Sequence, residues 1–98
     1  MRKSSKINWE KELPCLHKAF LTLKTPAEVK KFLRDLCTIT EIQAMTERWQ
    51  VVRMLEEGIT YREISKKTGL STTTVTRIAD WMKKGKGGYG LVLKRMKP

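Results

Sequence analysis

The sequence predicts an all-α fold, a small helical bundle carrying a helix-turn-helix. Three observations lead there. Apolar residues recur at spacings of three and four through most of the chain, which is the period of a helix face. No stretch shows the strict alternation of a half-buried strand. Between Tyr61 and Ile78 the residue types of a helix-turn-helix occupy all six of its diagnostic places.

The elements follow in order. Residues 1–8 form a basic tail, expected to be disordered. From Trp9, the positions Leu13, Leu16, Phe20 and Leu23 make one helix face, with Pro14 expected in the first turn or dividing off a short lead-in. Thr25-Pro26-Ala27-Glu28 starts a second helix: Thr25 can cap, Pro26 suits the first helical position, and Glu28 can close a capping box. This helix gathers Val29, Phe32, Leu33 and Leu36. Thr38 with Glu41 repeats the box, and the helix beyond it should bury Ile42, Met45, Trp49, Val52 and Leu55. Gly58 ends it. Lys83 to Gly90 reads as a flexible basic loop, and a short last helix spans about Leu91 to Met96. The resulting divisions are 1–8, the tail; 9–58, the dimerisation core; 59–84, the helix-turn-helix; and 85–98, the glycine-rich loop and last helix. The N-terminal faces expose more apolar surface than 98 residues can cover alone, so a homodimer is expected.

Charge narrows the partner. The net charge is +11, and it is uneven: residues 1–57 carry 11 basic and 8 acidic side chains, residues 58–98 carry 10 and 2. A half so basic points to a polyanion, whether DNA, RNA or an anionic membrane surface. The 40% hydrophobic content excludes a wholly disordered chain, and no apolar run is long enough to span a bilayer. There is no secretory leader pattern at the N-terminus. Cys15 and Cys37 have no metal-ligand spacing and read as two buried reduced thiols, which suits a cytoplasmic, nucleoid-associated protein.

The helix-turn-helix is the informative segment. Counting from Tyr61, the apolar places four, ten, fifteen and eighteen hold Ile64, Leu70, Val75 and Ile78. Ser65 supplies the small residue where the helices cross, and Gly69 the positive-φ turn. Ser71 is a good N-cap, so the second helix begins near Thr72. At 100° per residue, Val75, Ile78 and Met82 fall on one side, and Thr72, Thr73, Thr76 and Arg77 on the opposite arc, joined by Asp80 one turn on. In this motif the second helix enters the major groove with its N-terminal residues at the base edges. Hydroxyls and threonine methyls can contact bases or phosphates there, and Arg77 can fork onto guanine or grip a phosphate. The candidate DNA-contacting residues are Tyr61, Arg62, Lys66, Lys67, Ser71, Thr72, Thr73, Thr76, Arg77, Lys83 and Lys84.

Other chemistry finds little support. Gly85, Gly87 and Gly90 satisfy GxGxxG literally, but a helix precedes them where a dinucleotide site needs a strand. His17 has no nucleophile partner and reads as a surface residue. Glu56 and Glu57 diverge by about 100° on a helix, and no carboxylate set suggests a catalytic metal. Neither catalysis nor a metal or cofactor is expected. Aromatic residues are 7%, and Trp9, Trp49 and Trp81 sit mostly at core spacings, which disfavours a base-stacking platform for single strands.

With these residues in place, the chain resembles the tryptophan-repressor-like superfamily, in particular its small YerC/YecD-type branch. The resemblance is carried by DLCTITEIQAMTERWQVVRMLEEGITYREISKKTGLSTTTVTRIADWMKKG, residues 35–85, and by LPCLHKAFLTLKTPAEVKKFLRDL before it. It implies an intertwined homodimer whose N-terminal helices interlock and whose two helix-turn-helix heads meet a near-palindromic operator. The repressor holds its indole corepressor between two arginines, and Arg48 and Arg77 match those positions. Where the repressor has a glycine after the second arginine this chain has Ile78, and where it has a serine three residues on, Trp81. Both side chains are expected to fill the pocket, so no tryptophan corepressor is expected, and Arg48 would be an ordinary helix residue, paired with a carboxylate near Glu47 or with Asp35 of a second copy. The combined expectation is a sequence-specific double-stranded DNA-binding regulator, a repressor without membrane association; the alternative is a basic RNA-binding or nucleoid-type protein without sequence choice.

Overall fold

In the computed structural model, residues 6–97 are described, and the expected tail falls largely on residues outside them. Those residues form six helices and no strand: α1 (Trp9–Leu21), α2 (Pro26–Leu36), α3 (Ile39–Glu56), α4 (Tyr61–Thr68), α5 (Thr72–Lys84) and α6 (Gly88–Met96). The chain divides into two compact units between Ile39 and Thr40.

The first unit holds α1 and α2. Asn8 caps α1, its side chain accepting from the Lys11 N–H at 3.3 Å. The helix runs unbroken through Pro14, rather than starting at it or behind it. Proline lacks an N–H, so the cost falls on one hydrogen bond to the first turn. Thr25 caps α2 as expected, accepting from Glu28 N–H at 3.2 Å, but the Glu28 carboxylate reaches one residue further back and accepts from Lys24 N–H at 2.8 Å. Phe20 and Phe32 join the two helices edge to face, centroids 5.2 Å apart at 82°. Neither helix has a buried residue; Leu21 is 82% exposed, and Trp9, Leu36 and Ile39 are also exposed.

The second unit holds the core: Val51, Val52, Ile64 and Val75 are fully buried, with Ile78 and Ala79 nearly so. On α3 the buried pair is Val51 and Val52, and Met45 is exposed. Val51 escaped the single-face reading because α3 is flanked on more than one side. Trp49 lies 6.3 Å from Tyr89 of α6 between ring centroids, while the valines meet Ile64, Val75 and Ile78. After α3, the N–H groups of Gly58 and Ile59 donate to the carbonyls of Leu55 and Met54, with Gly58 at φ 82°. These two hydrogen bonds close the helix end and satisfy the Leu55 and Met54 carbonyls.

Three sequence expectations need correction. Of the tryptophans only Trp49 is half-buried; Trp9 and Trp81 are 60% and 66% exposed, because helical spacing marks a face and not what covers it. Cys15 is exposed and Cys37 half-buried, both free thiols, since Cys15 lies off the packed side of α1. The glycine-rich segment is mostly helical: only residues 85–87 separate α5 from α6, and packing of Tyr89 and Leu93 against the core offsets the poor helix propensity of Gly88 and Gly90.

Candidate nucleic-acid interface

The pair α4–α5 is built from its caps inward. Thr60 opens α4, accepting from Glu63 N–H at 3.2 Å. Gly69 closes it at φ 77°, ψ 1°, its N–H donating to the Ser65 carbonyl. A side chain here would be strained without touching anything, since a Cβ on Gly69 has no atom within 4 Å. Two hydroxyls then fix the turn. Ser65 Oγ donates to the Leu70 carbonyl at 2.6 Å, and Thr68 Oγ1 donates to the Ile64 carbonyl at 2.7 Å while accepting from Leu70 N–H. Ser65 is therefore more than a small residue at a crossing: its hydroxyl joins α4 to the chain leading into α5. The Thr68 role was missed, although threonine near a helix end is known to bond back to the carbonyl four residues earlier.

Ser71 starts α5, its Oγ accepting from Thr74 N–H at 3.1 Å and lying 2.9 Å from Thr74 Oγ1. Val75, Ile78 and Ala79 are buried, which turns Thr72, Thr73, Thr76 and Arg77 to the exposed side, with Asp80 also exposed. The first turn of α5 has no acidic residue to offset its positive dipole end, and Lys83 and Lys84 occupy the last turn.

The structure brings one set of candidates together and leaves others as separate surface charges. Ser71, Thr72, Thr73, Thr76 and Arg77 share the exposed N-terminal part of α5. Tyr61 and Arg62 lie in the first turn of α4, and Lys66 and Lys67 in its last, all exposed. Lys97 pairs with Glu56 at 3.5 Å, whereas among the described residues no carboxylate pairs with Arg62, Lys66, Lys67, Arg77, Lys83 or Lys84, which carry uncompensated charge.

A second feature adjoins this surface. A cleft of about 670 Å³ is lined by Arg48 and Trp49 of α3, Ile78, Trp81 and Met82 of α5, and Tyr89 and Val92 of α6. Ile78 is buried as expected, but Trp81 does not fill the space and stands exposed as part of its lining. Its position on the helix, 240° round from Val75, puts it beside the buried stripe and not within it. Arg48 borders the cleft and Arg77 does not, so the two arginines are not gathered around one space. Among the described residues no group of three or more His, Cys, Asp or Glu could hold a metal ion, and no helix is long and apolar enough to cross a membrane.

Comparison with known proteins agrees with this architecture. Residues 11–97 match the family described as Trp repressor protein. The chain is 44% identical over 87 residues to the uncharacterized protein YerC of Bacillus subtilis, covering 89% of this chain and 84% of that one. It is 37% identical over 70 residues to the Trp operon repressor homolog of Chlamydia trachomatis serovar D, covering 66% and 74%. The crystal structure of a TrpR-like protein from Eubacterium eligens superimposes with a TM-score of 0.81 at 38% identity, covering 88% of this chain and 89% of that one.

Proposed function

The chain belongs to the Trp repressor protein family, and from that premise we propose that it is a DNA-binding transcriptional regulator that selects a near-palindromic duplex as a homodimer. The observation that carries this reading is the exposed start of α5: a buried Val75–Ile78 stripe holds the helix by one side, and Thr72, Thr73, Thr76 and Arg77 occupy the other with no acidic residue in the first turn. In a helix-turn-helix that is the part of the second helix that meets base edges. Arg62, Lys66, Lys67, Lys83 and Lys84 supply phosphate contacts, which set register and affinity and carry no sequence information.

Dimerisation is supported by the first unit, where two amphipathic helices have no buried residue and Leu21, Leu36 and Ile39 face solvent. A two-fold dimer places its recognition helices roughly 34 Å apart, one turn of DNA. A repressor role is supported by the family, and regulation independent of tryptophan is supported by the branched Ile78 at the cleft and by Arg77 not being among its lining residues.

Selection from a random duplex pool, repeated at two salt concentrations, tests the reading. A specific regulator enriches a short near-palindrome, and its preference over random DNA survives added salt. A general polyanion binder, the reading favoured by the +11 charge alone, enriches nothing and loses affinity steeply with salt.

A further inference from the structure

The exposed threonines of α5 do not present the same chemistry. Thr76 Oγ1 donates its hydrogen to the Thr72 carbonyl at 2.8 Å, four residues back along the same helix. That bond fixes the side chain in one rotamer and occupies its only donor. What Thr76 then offers outward is its methyl group, with an oxygen that can only accept. Thr74 is half-buried, and its hydroxyl is held by Ser71 Oγ at 2.9 Å. Thr73 differs from both. It is exposed, and among the described residues its hydroxyl, like that of Thr72 (which lies only about 60° round from Val75), has no partner, so it remains free both to donate and to accept. Helical geometry aims Thr73 most directly away from the buried side, about 160° round from Val75, with Thr76 about 100° round.

We propose that Thr73 reads a base through its hydroxyl, whereas Thr76 reads a thymine through its methyl group. This rests on α5 lying in the major groove. Each base pair there shows its own pattern of donors and acceptors, and thymine adds a C5-methyl that apolar groups recognise. A donor already spent inside the helix cannot recognise an acceptor such as guanine O6. A methyl held in a fixed rotamer can pack on another methyl with no loss of side-chain freedom on binding.

Paired substitutions separate the two modes. Valine keeps threonine's shape and methyl but removes the hydroxyl, whereas serine keeps the hydroxyl and removes the methyl. Each variant is put through selection from the random duplex pool, and the wild-type site is then measured by titration with each selected thymine replaced by uracil, which removes only the methyl. The expected pattern is crossed. T76V and T73S keep the wild-type site; T76S and T73V lose a base preference. One thymine-to-uracil change weakens wild type about fourfold per half-site, the equivalent of one buried methyl at about 0.8 kcal/mol, and does not weaken T76S further. The inference is overturned if T76V loses the preference and T76S keeps it. It is also overturned if both variants at a position behave alike, or if no uracil replacement distinguishes T76S from wild type. A wild-type protein that enriches no site overturns the parent reading and this one with it, whereas an enriched site without the crossed pattern overturns this one alone.

Discussion

Replacing Gly69 by alanine tests whether the turn of the helix pair rests on backbone conformation alone. Gly69 sits at φ 77°, and a Cβ built on it meets nothing within 4 Å, so no clash contributes. What remains is the conformational term, roughly 1–2 kcal/mol for placing an L-residue in the left-handed region. Against this, alanine narrows the unfolded ensemble, which returns about 0.4–1 kcal/mol. The net expectation is a loss of about 1 kcal/mol, or a Tm lower by about 4–8 °C for a domain of this size. Asparagine tolerates the left-handed region better and should lose less. Gly90 provides the opposite case: it lies inside α6, a Cβ there also meets nothing within 4 Å, and its φ is not positive. Gly90→Ala should raise stability by about 0.5–1 kcal/mol. Thermal unfolding followed by circular dichroism, at one protein concentration because association adds to apparent stability, reads all three variants. Gly69→Ala as stable as wild type, or asparagine no better than alanine, would refute the claim that positive φ is what the turn requires.

Four further outcomes are expected. Ile64 is fully buried among Val51, Val52, Val75 and Ile78, so Ile64→Val should cost about 0.5–1.5 kcal/mol and Ile64→Ala about 2–5 kcal/mol by urea unfolding. Ser71→Ala removes the oxygen that accepts from Thr74 N–H, which should cost about 1 kcal/mol and speed hydrogen exchange in the first turn of α5. Lys66→Ala should weaken binding to every duplex alike and reduce the salt slope by about 1, while Thr73→Ala changes which duplex is selected; equal losses on all DNA from both would sink that division of roles. Added tryptophan should leave unchanged both the melting temperature and the affinity for the selected duplex, and a sharpened titration would overturn the tryptophan-independent reading.

What the sequence made legible was the part that local chemistry determines. Thr25, Gly69 and Ser71 each do at their helix ends what their residue type does anywhere, so the start of α2, the end of α4 and the start of α5 could be read directly. The six places of the helix-turn-helix were legible for the same reason, since Ile64, Val75 and Ile78 answer a spacing. The start of α6 was not. Gly88 and Gly90 are poor helix formers, and only the packing of Tyr89 and Leu93 against the core supplies what their propensity lacks.

The tryptophans show where periodicity stops being informative. Trp49 and Trp81 both fall near an apolar stripe, yet one packs against Tyr89 and the other is 66% exposed beside the cleft. A spacing of three and four says which residues share a side, but not whether another element reaches that side. The same reasoning applies to Leu36, which shares the apolar face of α2 and is 47% exposed, and to Leu21 and Ile39, which are 82% and 51% exposed. Large apolar side chains left in water at this density are costly, at about 25 cal/mol per Å². The first unit has no buried residue to offset that cost. The homodimer proposed above would meet that cost with a second copy of the chain, which brings a pair of helices as poorly covered as these.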